Sequence, residues 1–184
     1  MKTINPQWLS SYLSPDSARF QHILGVVRCM ENLLPDLNVP DEWKPDLLKA
    51  CYLHDIGYSP KLNQYDFHPL DGAIFVREKG FSKSVVAAVL FHSCAYETAK
   101  ETRPDLLPIY EEKNTDLDEQ DRTFIDLVTY CDLHTSPTGQ RITFEKRVQD
   151  VIERYGKHHT VSRMMLANQK NYKETIFRVN QWLK

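Results

Sequence analysis

Leu47-Leu48-Lys49-Ala50-Cys51-Tyr52-Leu53-His54-Asp55-Ile56-Gly57-Tyr58-Ser59-Pro60 is the stretch that decides the reading of this chain. The mainly apolar run over 47–53 closes on two adjacent ionisable side chains, and a glycine and a proline follow soon after. That is the pattern of a buried helix ending in a histidine and an aspartate. Two such groups are costly to desolvate unless something compensates them, and a bound cation does so directly. The plain alternative is a hydrogen-bonded core histidine beside a capping carboxylate.

Working outward, almost every segment carries helical periodicity, and no run alternates with period two, so the expected architecture is all-α. A short helix is expected over Pro6–Leu13. A second follows the cap signal Ser14-Pro15-Asp16-Ser17 and runs to about Leu34, with His22, Val26, Cys29 and Leu33 on one stripe. The helix over Trp43–Asp55 has Asp41 as its expected N-cap and Gly57 as its stop. Ser59–Phe67 reads as a loop over the site. His68-Pro69 opens a helix ending near Gly80, with Pro69 suited to the first turn. Another helix starts at Ser82 and places Val85, Ala88, Val89 and His92 on one face. Lys100–Asp118 is polar, contains two prolines and lacks periodicity, so it is expected to be a surface excursion or lid. Helix returns over Glu119–Leu133, with Asp132 one turn beyond Val128. After the Thr135–Gly139 loop two helices are expected. The last runs from about Thr160 to Leu183, and its stripe of Val161, Met164, Met165, Tyr172, Ile176 and Trp182 reads as core packing.

The chain of 184 residues is long enough for one domain with a real core, expected over 1–184, with a motif-bearing part at about 17–133 and C-terminal helices over 141–184. A hydrophobic content of 41% and a net charge of -2 argue against a large basic face for duplex nucleic acid or a membrane surface. Met1–Pro6 lacks the apolar core of a signal peptide, and no run approaches transmembrane length, so a cytoplasmic protein is expected. Cys29, Cys51, Cys94 and Cys131 are widely spaced with no Cys-x-x-Cys pair, which suits free thiols.

His22, His92 and Asp132 each lie on the apolar stripe of a different helix, and His54-Asp55 ends another. Polar groups pointing inward from separate helices need a common partner, because buried charges are paired or coordinate metal. Imidazole with carboxylate suits zinc, iron, manganese or cobalt rather than calcium. Other residues have bland readings. Arg19, Arg28 and Lys61 read as solvated charges, and Glu97 as a surface carboxylate. His158-His159 reads as surface and His134 as a neighbour of Asp132. Ser93 beside His92 is no triad, because helical neighbours point about 100° apart.

With these residues in place the chain resembles the HD-domain metal-dependent phosphohydrolases. His22, His54-Asp55 and Asp132 reproduce the H…HD…D signature and its rough spacing, over about Ser17 to Asp132. The contexts Leu53-His54-Asp55-Ile56-Gly57, His68-Pro69-Leu70-Asp71-Gly72-Ala73, Phe91-His92-Ser93 and Tyr130-Cys131-Asp132 make it similar to the subset with two extra histidines. That subset includes symmetrical dinucleoside tetraphosphate hydrolases and HD-type cyclic-di-GMP phosphodiesterases. The resemblance implies an HD-fold helical bundle that hydrolyses a phosphomonoester or phosphoanhydride bond of a nucleotide or other small phosphate. It implies that His22, His54, Asp55 and Asp132 bind a first metal, and that Asp55 bridges to a second held by His68 and His92. The ions are Fe, Mn, Zn, Co or Mg, one or two in number. Asp55, His68 and His92 then carry the catalysis, and without a second metal the two histidines act as general acid or phosphate contact. The alternatives are a non-catalytic nucleotide or metal sensor using the same pocket, and a di-iron oxygenase. The chain departs from the cyclic-di-GMP enzymes, since Phe91 precedes His92 and Ser59 follows Gly57-Tyr58. It departs from the alarmone hydrolases, since Ile56–Ser59 holds no acidic pair.

Overall fold

Helix starts and stops are written locally, and they account for most of the architecture. The computed structural model describes residues 4–183, so residues 1–3 of the N-terminal segment and residue 184 of the expected domain lie outside it. The helices are α1 (Pro6–Leu9), α2 (Ala18–Leu33), α3 (Lys44–Leu53), α4 (His68–Glu78), α5 (Lys83–Phe91), α6 (Ala95–Thr102), α7 (Leu107–Thr115), α8 (Glu119–Leu133), α9 (Phe144–Tyr155), α10 (Thr160–Ala167) and α11 (Gln169–Trp182). The described residues contain no strand, only two isolated bridges, and the all-α bundle is as expected. No helix among them is long and apolar enough to cross a membrane.

The Ser17 hydroxyl accepts from the Phe20 amide and starts α2. Asp118 and Asp121 form a capping box that starts α8 at Glu119. The bundle is built by α5 on α8, α4 on α5, α2 on α3 and α11 on α8. Their apolar faces merge into one core that includes Ile23, Val26, Leu47, Val89, Phe124 and Leu127, all buried. Cys29, Cys51 and Cys131 are buried free thiols in that core, and Cys94 is half-buried.

Several expectations are corrected. The first helix stops at Leu9 and gives way to turns. Asp41 does not cap α3: it opens a 3-10 turn over Asp41–Trp43 and pairs with Lys44 at 2.6 Å. Gly57 does not stop the helix, which ends at Leu53. It lies in a 3-10 turn pressed onto the start of α4, where a Cβ would sit 2.0 Å from the His68 carbonyl oxygen. Only glycine lets the His54-Asp55 end approach His68 so closely. Lys100–Asp118 is not an irregular lid but mostly helix, seated by the buried Leu106 and by Tyr110, whose hydroxyl donates to the Leu90 carbonyl at 3.2 Å. The long last helix is two helices. They divide at Asn168, whose side-chain amide donates to the Met164 carbonyl at 3.0 Å, and Val161 of the supposed core stripe is exposed.

Candidate metal centre

Five segments deliver the predicted side chains to one place. The inner face of α2 carries His22, and the end of α3 carries His54 and Asp55. The first position of α4 is His68, the end of α5 is His92, and the last turn of α8 is Asp132. His22, His54, Asp55, His92 and Asp132 are all buried, while His68 is half-buried.

Three of the histidines are fixed by the backbone. Nδ1 of His22 donates to the Ser136 carbonyl at 3.0 Å, Nδ1 of His54 to the Cys51 carbonyl at 2.7 Å, and Nδ1 of His92 to the Val89 carbonyl at 2.8 Å. A carbonyl only accepts, so each Nδ1 holds the proton and each Nε2 presents a lone pair. The Nε2 atoms of His22 and His54 are buried without a hydrogen-bond partner. His22 Nε2 lies 2.9 Å from Asp132 Oδ1 without the alignment of a hydrogen bond. Two acceptors facing each other at that distance need a cation between them or a second proton on the ring.

The ligand atoms form two groups. In one, His22, His54 and Asp132 each offer an atom within 4.8 Å of the others; in the second, Asp55, His68 and His92 do the same. Asp55 faces both. Its Oδ2 is 3.4 Å from His54 Nε2 and 3.8 Å from His22 Nε2, and its Oδ1 is 3.3 Å from His68 Nε2 and 3.5 Å from His92 Nε2. All six predicted residues therefore meet, with one carboxylate spanning the two triads.

Residues outside the prediction complete the surroundings. Arg19, read as a solvated charge, pairs through its guanidinium with Asp55 Oδ2. It sits one turn before His22 on the same side of α2, a signal the sequence did contain. Ser93 donates its hydroxyl to Asp132 Oδ2. Ser93 and His92 form no triad, but helical spacing does not set their directions, because α5 stops at Phe91 and Ser93 turns left-handed, with φ 50°. That turn is held by the Ser93 amide on the Thr129 hydroxyl at 2.9 Å and by the Tyr172 hydroxyl on the Ser93 carbonyl at 3.0 Å. Arg147, from α9, reaches Asp132 Oδ1 at 3.3 Å. Tyr58 stacks on His68 with ring centroids 4.0 Å apart. Arg28, Lys61 and His134 stay outside the triads, bonded to the carbonyls of Gly139, Ser11 and Tyr130.

Burial alone would raise the Asp55 carboxyl, but Arg19 and His54 outweigh it and hold it well below its ordinary value. Asp132 is likewise held well below against burial, by His22 and Arg147. Burial lowers His68 to about 4, against the opposing pull of Asp55. Both carboxylates are thus ionised and the His68 ring is neutral near pH 7, which are the forms that bind a metal. The donor chemistry and the two orphaned Nε2 atoms fit divalent cations, with imidazole and carboxylate suiting Fe, Mn, Zn or Co.

A family model described as the HD domain matches residues 19–130, well over half of the chain. The match begins at Arg19 and stops two residues before Asp132. No curated protein and no solved structure matches the chain significantly.

Proposed function

The chain belongs to the HD-domain family, and from that premise we propose that it is a metal-dependent phosphohydrolase acting on a phosphomonoester or phosphoanhydride bond of a nucleotide. The observation that carries this reading is the fixed orientation of three histidines. Their Nδ1 protons are committed to carbonyls, which leaves their Nε2 lone pairs for a metal. His22, His54 and Asp132 would hold one cation, and His68 and His92 a second, with Asp55 serving both. A divalent cation at such positions supplies Lewis acidity and an activated water for attack at phosphorus.

The protein's own groups do the rest. Arg19 offers guanidinium donors at the open side of the site, where a phosphoryl oxygen would sit. Without a second cation the His68 ring, partly exposed beside Asp55, would instead be free to contact the phosphate. Ser93 and Arg147 hold the Asp132 carboxylate from two sides. The joining of His68 and His92 to Asp55 supports the two-histidine subset.

The test has two parts. Protein purified without chelator is assayed for metal and then, loaded with Mn²⁺, against nucleotides and generic phosphoesters. Asp55→Ala is expected to lose most of the metal and at least about a thousandfold of the turnover, with helical circular dichroism unchanged. Full metal content and turnover in that variant would overturn the assignment. Tight nucleotide binding without product in the wild type would replace it with a sensor.

A further inference from the structure

His68 is held differently from the other three ring ligands. The Nδ1 atoms of His22, His54 and His92 each donate to a carbonyl. Among the described residues no carbonyl holds Nδ1 of His68, and the ring meets Asp55 Oδ1 through Nε2 at 3.3 Å. Its position is therefore set by the stacked Tyr58 and by the backbone from which it hangs. That backbone is the joint between the 59–67 loop and α4, because His68 is the first residue of the helix.

One carboxylate organises the joint. Asp71 is the fourth residue of α4 and is 3% exposed. Helical side chains tilt toward the N-terminus, which carries this one back over the incoming chain. Its Oδ1 accepts from the Gln64 and Tyr65 amides at 3.2 and 2.9 Å, and its Oδ2 accepts from the Phe67 amide at 3.2 Å. The Asp66 amide between them donates to Asn63 Oδ1 at 3.0 Å, and Asp66 turns left-handed at φ 54°. The loop is thus wrapped around Asp71 just before His68. It is tied to the body at two further points. The Ser59 hydroxyl donates to the Tyr12 carbonyl at 2.9 Å, and the Arg103 guanidinium donates to the Tyr65 carbonyl at 2.5 Å.

We infer that Asp71 is the positioning residue of the second triad. By fixing the backbone of Gln64, Tyr65 and Phe67 it sets where His68 stands relative to Asp55 and His92, and so how firmly a second cation is held. The inference rests on the two-metal part of the reading above and is independent of the reaction catalysed. A carboxylate that only closed a loop would cost stability when altered and leave both ions bound. One that aims a ligand loses the ion which that ligand holds. Asparagine separates the two cases: it keeps the shape of aspartate but turns an NH₂ donor toward at least one of the three amide donors.

The experiment titrates chelator-treated wild type, Asp71→Asn and His68→Ala with Mn²⁺ alone, followed by calorimetry, with circular dichroism and urea unfolding as controls of the fold. The wild type is expected to bind two ions. Asp71→Asn is expected to weaken the second ion about tenfold and to leave the first within about twofold, so that it follows His68→Ala in the ion it affects. Equal weakening of both ions, or no change in either, overturns the inference while the two-metal reading stands. A wild type that binds a single Mn²⁺ removes that reading and the inference with it. If Asp71→Asn does not fold, Arg103→Ala decides on the same criterion, because it releases the Tyr65 carbonyl on the outer side of the same loop. It is expected to weaken the second ion alone, and wild-type affinity for both ions would then overturn the inference.

Discussion

The two triads use the same residue types and are held in different ways. His22, His54 and Asp132 come from the interiors or ends of three packed helices, and each is pinned: the rings by the Ser136 and Cys51 carbonyls, the carboxylate by Ser93 and Arg147. Asp55, His68 and His92 sit at helix ends and turns, and the His68 side chain is 26% exposed. Tyr58 and Arg19 stack outward from it. All three side chains of the first triad are buried, whereas in the second Asp55 and His92 are buried too, His92 pinned by the Val89 carbonyl, and His68 alone opens to solvent. A fully buried cage such as the first retains its ion; a triad open at one edge exchanges it and positions the reacting group.

This contrast is broken most severely by deleting one ligand from each side. His54→Ala removes a fully buried Nε2 from the cage, and the expected outcome is loss of the tighter metal with a fall of about a thousandfold or more in turnover. His68→Ala removes a rim ligand and is expected to leave the tighter metal bound, with turnover down about a hundredfold. Metal stoichiometry by elemental analysis beside phosphate release checks both. Equal metal loss in the two variants would mean that the triads form one indivisible site.

The sequence made the cage more legible than its supports. His22 and Asp132 lay on apolar stripes that persist for several turns, so their inward direction followed from helical period alone. Arg19 was also within reach of that argument, being three residues before His22, but a charge on an apolar helix was read as solvated. Ser93 was out of reach because its role depends on a positive φ, and no local residue announces a left-handed turn there. Arg147 was out of reach for another reason: α9 lies beyond the signature, and only tertiary packing brings it to Asp132. The fold shows the same division. The helix expected at about Glu119–Leu133 was legible from its apolar stripe, and the Asp118–Asp121 capping box that sets its start emerged only in the structure. The segment α6–α7 was missed because Leu106 and Tyr110 make a buried stripe only one turn long. Gly57 was misread because a close approach to His68 and a helix stop call for the same residue type.

A milder change sharpens the comparison by loosening the cage without removing a ligand. Ser93→Ala and Ser93→Gly both delete the hydroxyl on Asp132, but glycine tolerates φ 50° and alanine does not. Both are expected to weaken metal binding about tenfold, while the glycine variant is the more stable of the two by about 1 kcal/mol. Competition with a fluorescent chelator reads the first quantity and urea unfolding the second. Recovery of wild-type affinity in Ser93→Gly alone would show that backbone strain, not the hydroxyl, governs Asp132.

The smallest effect tests the open side through protons. In chelator-treated protein the His68 ring titrates at about 4 when folded, against about 6.5 in an unfolded chain. Between those values the unfolded chain takes up a proton that the folded ring refuses, so folding stability falls as pH drops from about 6.5 to about 4. The loss is on the order of 1 kcal/mol once solvent screening of a partly exposed ring is counted. Asp55 and Asp132 act in the same direction but at lower pH, because their depressed values keep their stabilisation whole above the ordinary carboxylate range and release it as pH falls through that range and below. The two windows do not coincide. His68→Gln should flatten the slope between pH 6.5 and 4 in denaturant titrations and leave the steeper decline at lower pH intact. A slope that survives the substitution would place the titrating group elsewhere and the His68 ring in contact with water rather than with Asp55.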